Sequence, residues 1–206
     1  AALLVAGPAF AAQKGVPPGA IVVNALGGLS NPNVERPEKT ERSGWTSTDA
    51  VIDRRVIDDV RASGLTAVNI TIGHVFGPNE PFEQTVREIA HWDAVVRRHP
   101  ADLLKVLTAE DILRANREGR IGIIYGFQNT TMLGSDASRA DVFANLGVRI
   151  VQLTYNPANA VGDGSMAPEN RGLTPFGREV VERLNANRVM VDLSHSGEKT
   201  CLEAAR

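Results

Sequence analysis

Polar side chains able to bind a metal or move a proton recur in this chain at the ends of apolar runs. Val189-Met-Val-Asp-Leu-Ser-His195 is the clearest case: a short apolar run carries Asp192 and delivers His195 at its end, before Ser196-Gly197 interrupts it. Other run ends carry Asn24 and Leu26, His74, Gln128 and Asn129, and Tyr155 and Asn156. A histidine set among carboxylates and amides from neighbouring strands is the usual make-up of a hydrolytic metal centre, because imidazole binds a divalent cation and the cation activates water. Each residue also has a plain structural reading. His195 reads equally as a core histidine bonded to backbone, His74 as a loop residue, His91 and His99 as solvated helix positions, and Gln128-Asn129 as turn formers. Asp192, set within an apolar run, needs a partner, either a site residue that it orients or a structural polar network.

Those groups meet only if the runs bearing them lie side by side. Apolar runs at 20–26, 65–72, 121–127, 148–155 and 189–194 read as five principal strands, with a shorter run at 103–107. Between them lie helical stretches at about 49–62, 82–98, 136–146 and 174–187, and another from Ser196 onward. Thr174 suits an N-cap and Pro175 the first helical position, where its missing N–H costs nothing. Val180, Val181 and Leu184 then mark one apolar face. Thr108-Ala-Glu-Asp111 has the form of a capping box opening a further helix. Near-continuous apolar strands alternating with helices imply a parallel sheet covered by helices. A doubly wound sheet and a (β/α)8 barrel both fit. The chain has no Gly-x-Gly-x-x-Gly after the first strand and no Walker A loop, which weakens a nucleotide-binding reading. In the barrel, five βα units are about half to two-thirds of a roughly 250-residue fold.

Composition sets the class. At 43% hydrophobic and 22% charged residues the balance is that of a globular chain, and a net charge of −2 gives no reason to propose nucleic acid as a partner. A single cysteine, Cys201, excludes an internal disulfide and zinc-finger spacing. The opening Ala1-Ala-Leu-Leu-Val-Ala-Gly-Pro-Ala-Phe-Ala-Ala12 resembles the apolar core of a secretory signal with an A-x-A cleavage site at Ala9-Phe10-Ala11. Residues 1–11 are therefore expected to be part of a signal peptide, and residues 12–206 the N-terminal part of a barrel in an exported, periplasmic or extracellular protein.

Taken in order, Leu153-Thr-Tyr-Asn156, Gly162-Asp-Gly164, Gly172-Leu-Thr-Pro-Phe-Gly177 and Val191-Asp-Leu-Ser-His195 resemble the membrane (renal) dipeptidase family of zinc metallopeptidases. The resemblance implies a (β/α)8 barrel with a two-zinc centre at the strand ends, where a metal-bridged hydroxide attacks the peptide carbonyl of a dipeptide. By that resemblance His195 stands at a zinc ligand and Tyr155, with Asn156 next to it, at the substrate; Asp192, three residues before the ligand, is then read as its orienter. The same comparison marks departures. Leu26 and Gly28 stand where the first strand's ligands are expected, and Gln128 replaces the bridging glutamate as a neutral, poorer ligand. The resemblance thus implies zinc at about one ion per chain. It implies a metal-dependent dipeptidase-like hydrolase whose partners are a dipeptide or related small amide and, through exposed sheet edges, a second copy of the chain. A non-catalytic homologue that binds peptides with a degenerate metal site is the other reading. If the opening segment is a signal, N-terminal sequencing of the exported protein is expected to give a mature start near Ala12; a retained 1–11 segment would contradict it.

Overall fold

The computed structural model describes residues 17, 19–31, 33, 34, 44–49 and 51–206; the signal-like segment at 1–12 lies outside them. Along the described residues the elements run β1 (Val23–Gly27), α1 (Arg54–Ala62), β2 (Ala67–Thr71), α2 (Pro81–Arg98), β3 (Leu103–Lys105), α3 (Ala109–Glu118), β4 (Ile121–Phe127), α4 (Arg139–Asn145), β5 (Val148–Gln152), α5 (Pro175–Ala186), β6 (Met190–Asp192) and α6 (Glu198–Ala204). Every strand pair is parallel. β2 follows β4 from Ala67 opposite Gly122 to Thr71 opposite Gly126. β3 pairs with Ile121–Ile123 and β5 with Tyr125–Phe127, so these two share the other edge of β4. β4 is buried at all seven residues, as its unbroken apolar run requires.

The sheet order β1-β2-β4-β5-β6 follows the chain, with β3 as a side branch on β4. A doubly wound sheet would reverse direction at a switch point. This sheet does not, and it forms a half-barrel of the (β/α)8 type. The short run at 103–107 is a true strand of three residues, one more than the five principal strands expected. Two of the expected buried runs differ in exposure. β1 and β6 each pair with one neighbour among the described residues, and Val23 and Met190 are exposed.

Alternation along the strands divides the core. Val68, Ile70, Ile123 and Phe127 belong to the main cluster with Ile57 of α1, Trp92 of α2, Phe143 of α4 and Leu184 of α5. The neighbouring positions Ala67 and Ile124 point to the opposite face. There a smaller cluster joins them to Leu104, Val106 and Ile150 and to Ile112 and Ala115 of α3. Full burial of side chains such as Leu184 or Ile57 is worth about 1.5–3 kcal/mol each.

Helix starts follow their caps. Thr174 accepts from Gly177 N with Pro175 behind it, and Thr108 and Asp111 form the expected reciprocal box. Asp53 caps α1 by accepting from Val56 N, which is why the helix starts at Arg54 and not near Asp49. α4 likewise starts later than its apolar pattern, at Arg139, because Asp136 Oδ1 accepts from the backbone and hydroxyl of Ser138 in a local turn. The side-chain caps at Asp53, Thr108 and Thr174 each contribute about 1 kcal/mol. Among the described residues no helix is long and apolar enough to cross a membrane.

One close packing ties three strands together. Asn69 in β2 donates through Nδ2 to Ala25 O of β1 at 2.8 Å, and its amide lies directly over Gly126 of β4. A Cβ at Gly126 would overlap Asn69 Oδ1. Gly126→Ala is expected to destabilise the fold by about 1–3 kcal/mol in urea denaturation. Adding Asn69→Ala should narrow that loss, whereas an additive loss would show that the overlap is not its cause.

Candidate functional site

His195 follows β6 with φ of 60°, and Asn156 follows β5 with φ of 64°. A non-glycine residue in this left-handed region carries about 1–3 kcal/mol of strain and persists only when its surroundings hold it there. Here they do. The carbonyl of His195 accepts from Ser165 N at 2.8 Å and from Thr154 Oγ1 at 3.1 Å. Its Nδ1 lies 2.7 Å from Asn156 Oδ1. The imidazole stacks on the Tyr155 ring at 4.6 Å, and Tyr155 stacks in turn towards Phe76 at 6.4 Å. A carboxamide oxygen can only accept, so Nδ1 is the donor, and in the neutral tautomer Nε2 is the nitrogen with the lone pair.

The segment joining β5 to α5 fixes that arrangement from below. Asp163 is buried at 3% exposure. Its carboxylate accepts from Arg171 N at 2.6 Å, from Arg171 Nε at 3.2 Å and from Arg171 Nη2 at 3.0 Å. Its backbone carbonyl accepts from Gly197 N at 2.9 Å and Thr200 Oγ1 at 2.8 Å, and Gly164 forms a bridge with Ser196. The turn that carries His195 is therefore stitched to the loop closed by Asp163 and Arg171. The side-chain hydrogen bonds from Arg171 hold the Asp163 carboxyl below the ordinary value of 3.8.

A second part of the rim lies at the ends of β1, β2 and β4. Gly27–Ser30, Trp45–Ser47, Ile70, Thr71, Trp92 and Gln128 line a cleft of about 340 Å³. Thr71 Oγ1 donates to Gln128 Oε1 at 3.0 Å. Behind the wall sits Glu88, 1% exposed, whose carboxylate accepts from Ser47 Oγ (2.6 Å), Gly73 N (2.9 Å), Ser47 N (3.3 Å) and Gln84 Nε2 (2.8 Å). Trp92 Nε1 donates to the same Ser47 hydroxyl at 3.0 Å.

The site residues expected from sequence fall into two groups. Tyr155, Asn156 and His195 come together. Gln128 and Gly28 line the other cleft, whose walls do not include His195, and Leu26 is 44% exposed. Among the described residues no hydrogen bond joins Asp192 to His195: Asp192 Oδ1 accepts from Ser194 N at 2.8 Å, where Asp192 ends β6 and closes the turn that follows. Asn156 is the residue that orients the imidazole. His74 is buried, with Nδ1 2.9 Å from Thr131 Oγ1 and Nε2 3.2 Å from Gly77 O, so both ring nitrogens are engaged in structure. His91 is half-buried and less solvated than its helix position suggested; it packs edge-on against Trp92 with Nε2 buried. Asn129 satisfies loop groups, donating to Val75 O and accepting from Thr130 N. Sequence reading missed Glu88, which sits unmarked within a helix, and Thr71, which sits unmarked at a strand end. The Asp163 clamp had a visible signal in Gly162-Asp-Gly164. Among the described residues no three His, Cys, Asp or Glu side chains are grouped to hold a metal ion.

Comparison with known proteins gives a consistent pattern. The family model described as membrane dipeptidase (peptidase family M19) matches residues 53–206. Dipeptidase tcpJ of Claviceps purpurea is 37% identical over 98 residues, covering 47% of this chain and 23% of that protein. The crystal structure of an amidohydrolase from Pseudomonas aeruginosa superposes with a TM-score of 0.71 at 33% identity, covering 89% of this chain and 49% of that one. A metallopeptidase from Rhodobacter sphaeroides, solved with a phosphinate mimic of the dipeptide L-Ala-D-Ala, shares the fold with a TM-score of 0.57 at 20% identity, covering 76% of this chain and 47% of its own. The chain thus spans about a quarter of the first relative's length and about half of each solved chain.

The clamp has a pH signature. A carboxyl whose folded value is depressed adds stability above its unfolded value and loses that contribution as pH falls through the folded one. Wild-type stability is therefore expected to fall below about pH 3.8, and Asp163→Asn should be less stable at neutral pH but shallower in that acid range. Parallel acid-unfolding curves for the two proteins would contradict the assignment.

Proposed function

The chain belongs to the membrane dipeptidase family, peptidase family M19, and on that premise we propose that the protein hydrolyses the amide bond of dipeptides or related small amides. The observation that carries this reading is the imidazole at the sheet rim, with Nδ1–H donated to Asn156 Oδ1 and the ring held against Tyr155. That arrangement leaves Nε2 to accept a proton or a hydrogen bond from a bound substrate, and Tyr155 and Asn156 shape the ground beside it. Export, supported by the opening segment, would place the activity in the periplasm or outside the cell.

A metallopeptidase family implies a metal, expected here as zinc with His195 among its ligands. Zinc takes about four nitrogen, sulfur or oxygen donors. At the aligned positions Leu26 and Gly28 offer no side-chain donor, Gln128 is a neutral amide, and no ligating group of three converges among the described residues. The residues present do not fit a zinc site, and no step is routed through one. What the chain supplies is an oriented imidazole and a stacked aromatic wall. The same donor deficit favours the second reading, in which the rim binds a peptide and leaves it intact.

The test is the full-length protein incubated with a dipeptide panel, with free amino acids measured by chromatography. The expected outcome is release of amino acids, with His195→Ala slowing turnover by about 10²-fold or more. Dipeptides that bind to the wild type without being cleaved would replace hydrolysis with the binding reading.

A further inference from the structure

We propose that the cleft at the ends of β1, β2 and β4 binds an acceptor oxygen of a small peptide ligand, carbonyl or carboxylate, on the side-chain amide of Gln128. The proposal rests on the rim being the ligand-binding face but does not require that the ligand be cleaved.

Three features carry it. The first is the direction of the amide. Thr71 Oγ1 donates to Gln128 Oε1 at 3.0 Å, so the oxygen is taken by a hydroxyl and the NH2 group is left as the free end. No hydrogen bond among the described residues engages Nε2. Gln128 lines the cleft, and the group it adds there is a donor. The positive end of an N–H dipole repels a divalent cation and attracts a lone pair, which is the reverse of what a bridging carboxylate at this position would do.

The second is the absence of competing charge. The nearby acid, Glu88, lies under the wall and already accepts from Ser47, Gly73 and Gln84. Those bonds fix the wall and turn the carboxylate into it, with three donors on Oε2 and Gln84 Nε2 on Oε1. The third is space. The cleft of about 340 Å³ falls within the range of small-molecule sites, and nothing lies within 4 Å of a Cβ built at Gly28, so a ligand can approach the backbone there. Trp45 and Trp92, the two tryptophans of the 206 residues, both line it.

The experiment uses the full-length protein and two probes: N-acetylglycine, which offers a carboxylate and a carbonyl, and N-acetylglycinamide, which offers carbonyls alone. Binding is followed by titration calorimetry and by tryptophan fluorescence, and zinc by elemental analysis. Wild type is expected to bind at least one probe; binding of the acid alone assigns the carboxylate, and binding of both assigns the carbonyl. Gln128→Glu should weaken binding about tenfold or more without gaining zinc. Thr71→Val, which frees the amide to rotate, should weaken binding several-fold, and Thr71→Ser should restore it. Wild type that binds neither probe, Gln128→Glu that binds as well as wild type, or Gln128→Glu that takes up zinc would each overturn the proposal. Dipeptide turnover is measured separately, so a protein that binds the probes but cleaves nothing rejects hydrolysis and leaves this inference standing.

Discussion

The parallel ladder around β4 is the constraint on which the rest of the molecule depends. β2 occupies one edge of β4, while β3 and β5 divide the other. Because every pair is parallel, all strand carboxyl ends fall on one rim, and the loops that follow them are brought together there. The burial of β4 on both faces explains why its own sequence carries glycine at 122 and 126. At each position a side chain would collide with a neighbour, Ala67 and Val106 in one case and Asn69 in the other. Close approach at the sheet centre sets the rim's geometry.

At the rim, stability and site geometry are coupled. His195 and Asn156 both occupy left-handed backbone, and the two contact each other through Nδ1 and Oδ1. The strain is offset by hydrogen bonds from elements distant in sequence: Thr154 and Ser165 hold the His195 carbonyl, and Asp163 holds the residues just after it. The imidazole is thus fixed by the loop after β5 more than by β6, which supplies only three residues of pairing. Asp163 is the keystone of that loop. Its buried carboxylate is matched by a guanidinium that is itself 67% exposed, so the pair contributes through hydrogen-bond geometry more than through unscreened charge.

The two halves of the rim differ in chemistry. Around His195 the groups are an imidazole, a stacked ring and a backbone amide. Around Gln128 they are neutral donors and indole walls, with the buried Glu88 carboxylate hydrogen-bonded behind them.

Much of this was readable from residue order. The strand–helix alternation, the caps at Thr108 and Thr174, the apolar face of α5 and the places of Tyr155, Asn156 and His195 at strand ends all come from local periodicity and cap chemistry, which act over a few residues. Helix starts at Arg54 and Arg139 were set by side-chain turns that compete with the apolar pattern. What residue order could not reveal depends on pairing between distant segments. That β3 is a strand follows from its place against β4; that β1 and β6 are partly exposed follows from their single neighbours; that Asp192 caps its own turn while Asn156 orients the imidazole follows from how far β6 extends. The donor face of Gln128 follows from a hydroxyl 57 residues away. An amide reads the same in either orientation along the chain, and a contact across the sheet is what gives it one.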